Sequence, residues 1–177
     1  MTNKISRTES KNIQKIYDVI KDNSRMTVRG IADKTKLTRP TVTKLFEKME
    51  KNNLIWGYCA IVDTKKFGYN TYALLVKTKT SFNVDFKNFK SFFNDKSNLD
   101  EDTGDMFIVY SGLFHGEYDW IILFLSKDLF SARRNINKYL EGFQEHIEDM
   151  KLEEQLVPIT AAGFMNPNLM ETMKDII

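Results

Sequence analysis

Arg39, Thr41, Thr43, Lys44, Lys48 and Lys51 fall on one side of a helical period, with Glu47 the only acid among them. Cationic side chains and hydroxyls on one helix face suit phosphate oxygens and base edges in a DNA major groove. Thr27 and Arg29, one short helix upstream, extend the same chemistry, and Thr38 stands at the head of the main set. An ordinary solvated surface can carry a similar pattern, so the charge distribution decides. Residues 1–51 hold 13 Lys or Arg against 6 Asp or Glu, net +7, whereas residues 52–177 hold 13 against 18, net −5. The total of +2 therefore hides a basic first segment and an acidic remainder, the asymmetry expected when one domain meets a polyanion.

Catalytic and metal chemistry find less support. There is no HExxH, Walker-type loop, GxSxG or GxGxxG, and no Cys/His cluster has zinc-finger spacing. The single Cys59 excludes an intramolecular disulfide and points to a reducing compartment. The N-terminal MTNKISRTES lacks the apolar core of a secretory signal, and the longest apolar run, Trp120 to Leu125, is too short to span a bilayer. A cytoplasmic, nucleoid-associated protein with no cofactor is expected.

For the basic side chains to share a face, two short helices must meet at a tight turn. Thr27 caps the first, and Val28, Ile31 and Ala32 line its inner side. Residues 35–37 interrupt it. Thr38 caps the second helix, where Pro40 is tolerated because a first-turn amide needs no intrahelical partner. Val42, Leu45, Phe46 and Met49 then recur at i, i+3, i+4 and i+7 as an apolar stripe. Ile13, Ile16, Tyr17 and Ile20 predict an earlier helix over about Glu9 to Lys21 on which both can pack. Three helices in this arrangement make a helix-turn-helix domain over residues 1–54.

The pattern then changes. Ile55 to Asp63 is rich in β-branched and aromatic residues and predicts a strand, with a linker running to residue 70. Strands follow at Thr71–Lys79, Met106–Phe114 and Tyr118–Ser126, the last two joined through His115, Gly116 and Glu117. Phe82, Phe86, Phe89 and Phe93 predict the core face of a helix rather than an aromatic binding box. A polar stretch separates this helix from the strand at Met106. Leu129, Phe130, Ile136, Tyr139, Leu140 and Phe143 predict a second helix over Leu129–Phe143, and a last strand over Lys151–Ile159 ends around Pro158. The order βαββαβ with short connections is the split βαβ, ferredoxin-like motif, an α+β domain whose antiparallel sheet carries both helices on one face. Beyond it, Leu169, Met170, Met173, Ile176 and Ile177 fit either a short apolar helix or a frayed tail.

Several short motifs stand in a telling order. They are Leu37-Thr38, Val42, Leu45, Met49-Glu50, Ile55, Gly57-Tyr58, Phe67-Gly68 and Gly116-Glu117-Tyr118-Asp119. From about Ile5 to Ile159 the chain resembles the Lrp/AsnC, or feast/famine, transcription regulators. The resemblance implies a three-helix, winged helix-turn-helix domain (1–54), a connecting strand and linker (55–70), a RAM-type βαββαβ domain for dimerisation and effector binding (71–160), and an extension (161–177). It further implies double-stranded DNA as partner, a homodimer that in many relatives assembles into tetramers or octamers, and an amino acid or other small molecule as effector. The implied effector turn is His115, Gly116, Glu117, Tyr118 and Asp119. Gly116 would allow close approach or positive φ, and the two acids would bind an ammonium group or accept backbone amides; solvated turn acids are the plainer reading.

Lys36 departs from the family, where many relatives have Gly. Either the turn needs no positive φ, or Lys bears it at some cost. Two other readings keep the same architecture. One is a sirohaem decarboxylase-like enzyme, in which Arg133, Arg134, His115 and His146 would hold a tetrapyrrole. The other is a chromosome-organising protein that binds DNA with little sequence preference.

Overall fold

The computed structural model describes residues 5–79 and 105–174. The helix expected around Phe82–Phe93 and most of the polar stretch after it lie outside the described residues. The chain divides into two compact units, residues 1–61 and 62–177.

In the first unit, α1 (Arg7–Ile20), α2 (Val28–Thr35) and α3 (Arg39–Lys51) each begin at a hydroxyl cap. Ser6 and Glu9 close a capping box on α1: the Glu9 amide donates to the Ser6 hydroxyl at 3.3 Å and the Ser6 amide to Glu9 Oε2 at 2.9 Å. Thr27 accepts from the Gly30 amide and Thr38 from the Thr41 amide. Ile16, Ile31, Ala32, Val42, Leu45 and Met49 form the core, with Ile13, Ile20, Leu37, Phe46 and Ile55 packed around them. Tyr17, expected on this inner side, is exposed. Lys36 ends α2 at φ 60, ψ 29, so the turn does use the left-handed region and a lysine bears the strain.

The strand expected over Ile55–Asp63 is not formed. Its residues favour a pleated backbone, yet a strand needs a neighbour to accept its amides and carbonyls, and none pairs with it among the described residues. Asn53 closes α3 at φ 54, and side chains pin the start of the segment back onto the helix end. The Trp56 indole donates to the Asn53 carbonyl at 2.9 Å and the Tyr58 hydroxyl to Glu50 Oε1 at 3.1 Å.

The second unit opens with a short 3-10 turn, Thr64–Phe67, closed by Gly68 at φ 80. Four antiparallel strands follow: β1 (Asn70–Thr78), β2 (Phe107–Leu113), β3 (Trp120–Ser126) and β4 (Ile147–Glu154), in the spatial order β2-β3-β1-β4. Leu74 stands opposite Ile122 on one side and Leu152 on the other. Alternation along β1 and β3 sends Tyr72, Leu74, Val76, Trp120, Ile122 and Phe124 to a buried face. There they meet Ala132, Ile136, Tyr139, Leu140 and Phe143 of α4 (Leu129–Tyr139) and the turn after it. The order β1, β2, β3, α4, β4 is that of the α+β fold expected.

Three boundaries differ from the sequence reading. α4 stops at Tyr139 and not Phe143, because the chain turns through Gly142 at φ 84 while still burying Leu140 and Phe143. Leu129 and Phe130, at its first turn, are exposed. β4 starts at Ile147, four residues early, and ends at Glu154. Only one side of this edge strand is apolar, so its charges masked the alternation. The C-terminal segment is folded as far as Lys174: a hairpin of β5 (Thr160–Ala161) and β6 (Phe164–Met165) precedes α5 (Leu169–Lys174).

Candidate nucleic-acid interface and effector turn

Arg39, Thr43, Lys44 and Lys51 are exposed along α3. Thr38 and Thr41 serve the helix start, their hydroxyls 2.8 Å apart. Arg29 is exposed on α2, while Thr27 is committed to its cap. Lys48 is placed differently. Its ammonium donates to both oxygens of Glu9, at 2.9 and 2.8 Å, and its side chain is 14% exposed. It holds α3 to α1, with its charge met inside the unit. Those hydrogen bonds, followed by the one from the Ser6 amide, bring the Glu9 carboxyl from 4.5 down to about 2. Glu9 was missed in the sequence although the capping-box spacing from Ser6 was there to read. Of the cations expected to meet DNA, Arg29, Arg39, Lys44 and Lys51 make no ion pair among the described residues, with Thr43 among them and Glu47 exposed beside them.

The five turn residues also separate into two kinds. Asp119 Oδ2 accepts the Thr78 amide at 2.8 Å and the Thr78 hydroxyl at 2.9 Å. Its own amide donates to Val76 O, and its carbonyl accepts from Phe114. Of the two roles offered for an acid here, Asp119 takes the acceptance of a backbone amide. It ties the end of β1 to the β2–β3 hairpin. Tyr118 is half-buried beneath Lys151, whose Nζ lies 5.3 Å from the ring centroid. His115, Gly116 and Glu117 are exposed at the tip. Gly116 needs no left-handed φ, and a Cβ there would meet nothing within 4 Å. Lys151 was missed because it lies over thirty residues downstream and carries no local signal.

Arg133 and Arg134 are exposed on α4, and His146 is partly buried against Phe143, ring centroids 5.3 Å apart. Among the described residues, no three His, Cys, Asp or Glu side chains are grouped as a metal centre requires, and no helix is long and apolar enough to cross a membrane.

Residues 9–55 match the family model described as winged helix-turn-helix DNA-binding. A curated HTH-type transcriptional regulator of Pyrococcus horikoshii is 26% identical over 145 residues, spanning 78% of this chain and 88% of that protein. The HTH-type regulator LrpC of Bacillus subtilis is 31% identical over 85 residues, 48% of this chain and 58% of that one. The crystal structure of the same Pyrococcus horikoshii protein superposes with a TM-score of 0.67 at 21% identity, covering 90% of this chain and 97% of the other. A Neisseria meningitidis regulator in complex with L-Met superposes with a TM-score of 0.60 at 14% identity, covering 89% and 96%. Fold and helix face together define a winged helix-turn-helix protein whose chain continues into an α+β domain. Within that class, the chain is similar in sequence to the regulator LrpC and in fold to the Pyrococcus horikoshii protein.

Proposed function

We propose that this chain is a sequence-specific transcription regulator that inserts α3 into the major groove of double-stranded DNA and acts by binding rather than catalysis. The carrying observation is the capped helix presenting Arg39, Thr43 and Lys44 to solvent from a segment of net charge +7. Residues 1–54 are the reader, 55–70 the connection, 71–160 the assembly and effector domain, and 161–177 an extension. It works in the cytoplasm, on the nucleoid.

A single reader of this size touches few base pairs, and a two-fold dimer doubles the interface and fixes half-site spacing. The sheet supports a second copy as partner. One face packs on α4, whereas Ala73, Leu75, Ile121, Leu123 and Leu125 on the other are only partly covered. Phe107 and Tyr110 of the edge strand are exposed, an apolar surface that a second copy would cover. Tetramers or octamers would extend the assembly. The turn at His115–Asp119 is the effector site, for an amino acid or other small molecule; the L-Met complex of the Neisseria meningitidis protein supports that chemistry.

The test is fluorescence anisotropy of the full chain on its own promoter region and on random duplex at moderate salt, with and without amino acids. Regulation predicts tighter binding to the promoter. Equal affinity for both, under all conditions, overturns sequence-specific regulation in favour of chromosome organisation.

A further inference from the structure

The segment after β4 is folded without a core of its own. None of the described residues from Gln155 to Lys174 is buried. Past Leu156, whose carbonyl accepts from Lys65 Nζ at 2.9 Å, the hydrogen bonds run within the segment. The Asn166 amide donates to Ile159 O at 2.9 Å, the Asn166 side chain to Pro158 O at 3.0 Å, and the Thr172 hydroxyl to Asn168 O at 2.9 Å. The β5–β6 hairpin turns through Ala162 at φ 46 and Gly163 at φ 86, and a left-handed alanine is strained unless its surroundings hold it in place. A lone two-stranded hairpin and a helix of six residues are each marginal in water. Such a segment needs a surface to pack on, yet Leu156, Ile159, Phe164, Met165, Met170 and Met173 are 40 to 73% exposed.

We propose that this segment is a self-association surface whose occupant is the same segment of a second copy. Its area is sufficient. Taking a large apolar side chain as about 200 Å² when fully exposed, these residues present about 700 Å². A two-fold pair would bury about 1,400 Å², within the range of specific, stable interfaces. Charge points to the same occupant. α5 carries Glu171 in its first turn and Lys174 in its last, both exposed and neither in an ion pair among the described residues. An antiparallel two-fold alignment of two such helices sets Glu171 of one copy beside Lys174 of the other, and symmetry repeats the pair. Opposite charges at the two ends of one short helix thus complement themselves, whereas a polyanion or an anionic membrane would meet Glu153, Glu154 and Glu171. The methionines suit the role, because an unbranched thioether adapts to the shape of its neighbour. This contact goes beyond the sheet face already offered to a second copy. Two different two-fold contacts on one chain alternate from copy to copy, so they close only into assemblies with an even number of copies.

The experiment is sedimentation velocity of the full chain over a concentration series, with thermal melting of every variant by circular dichroism. Met170→Glu should remove one association step. Glu171→Lys and Lys174→Glu should each weaken that step by about tenfold, because two-fold symmetry turns two attractive pairs into two repulsive ones. The double variant Glu171→Lys/Lys174→Glu should restore it. All three positions are exposed, so each isolated chain should fold as wild type does; rescue by the double variant confirms this independently of the melts. An assembly unchanged by Met170→Glu and by both single swaps overturns the proposal and leaves the sheet face as the second-copy contact. Single swaps that weaken the step without rescue in the double variant set another surface against the segment and overturn self-pairing. A wild-type chain that stays monomeric at every concentration overturns this proposal and the second-copy reading together.

Discussion

Lys44 and Lys48 are four residues apart on α3 and look equivalent in sequence, yet replacing each by Met should give opposite phenotypes. Each phosphate contact by a lysine contributes about 0.9 to the slope of log affinity against log salt. In a dimer Lys44 occurs twice, so Lys44→Met should flatten the slope by about 1.8. Between 50 and 200 mM salt, the variant should then lose about twelvefold less affinity than wild type. Lys48→Met should leave the slope unchanged, because its ammonium lies 2.8 and 2.9 Å from the Glu9 oxygens and its side chain is 14% exposed. It should instead lower the melting temperature of the first unit, since Glu9 loses its main partner. Anisotropy with a labelled duplex over a potassium chloride series reads the slope, and circular dichroism reads the fold. A Lys48→Met slope that flattens as much as that of Lys44→Met, in a folded protein, would show that Lys48 reaches DNA and refute the division.

Three more outcomes follow from the geometry. The Glu9 carboxyl is lowered from 4.5 to about 2 by its bonds to Lys48 and Ser6, and a depressed carboxyl stabilises the folded state above its unfolded value. Glu9→Gln should therefore melt below wild type at neutral pH, and the gap should close as pH falls from 4.5 towards 2; a gap constant over that window refutes the pairing. Lys36→Gly should raise stability by up to about 1 kcal/mol by relieving the left-handed conformation at φ 60, and a loss in chemical denaturation would reveal a contact made by the side chain. Asp119→Ala should destabilise the second unit by about 1–3 kcal/mol by orphaning the Thr78 amide. Hydrogen exchange at Thr78 should quicken, and unaltered exchange there would contradict the tether.

The helices α1 to α4 and three of the strands were legible because their signals are local. Hydroxyl caps at Thr27 and Thr38, the stripe from Val42 to Met49 and the alternation through β1 and β3 all lie within one element. The failures share a different origin. Ile55–Asp63 has strand composition, but pairing is a property of two segments, and among the described residues no second segment pairs with it. β4 is an edge strand whose charges outnumber its apolar residues, so its start had to come from its pairing with β1. Within the sites, residue type gave the chemistry and long-range contacts gave the roles. Lys48 reads as a phosphate ligand until Glu9, 39 residues earlier, is seen beside it. Asp119 reads as a ligand acid until Thr78, 41 residues earlier, is seen to hold it.

Trp56 and Trp120 are the only tryptophans in the chain, one in each compact unit. The first is 95% exposed, with its indole tied to Asn53; the second is fully buried, donates to Ser111 at 2.8 Å and meets Phe143 edge-on at 5.8 Å. Their light is therefore separable: a water-soluble quencher reaches Trp56 and spares Trp120. The native protein thus carries a two-channel fluorescence reporter, one channel sensing whatever covers the linker and the other the integrity of the sheet.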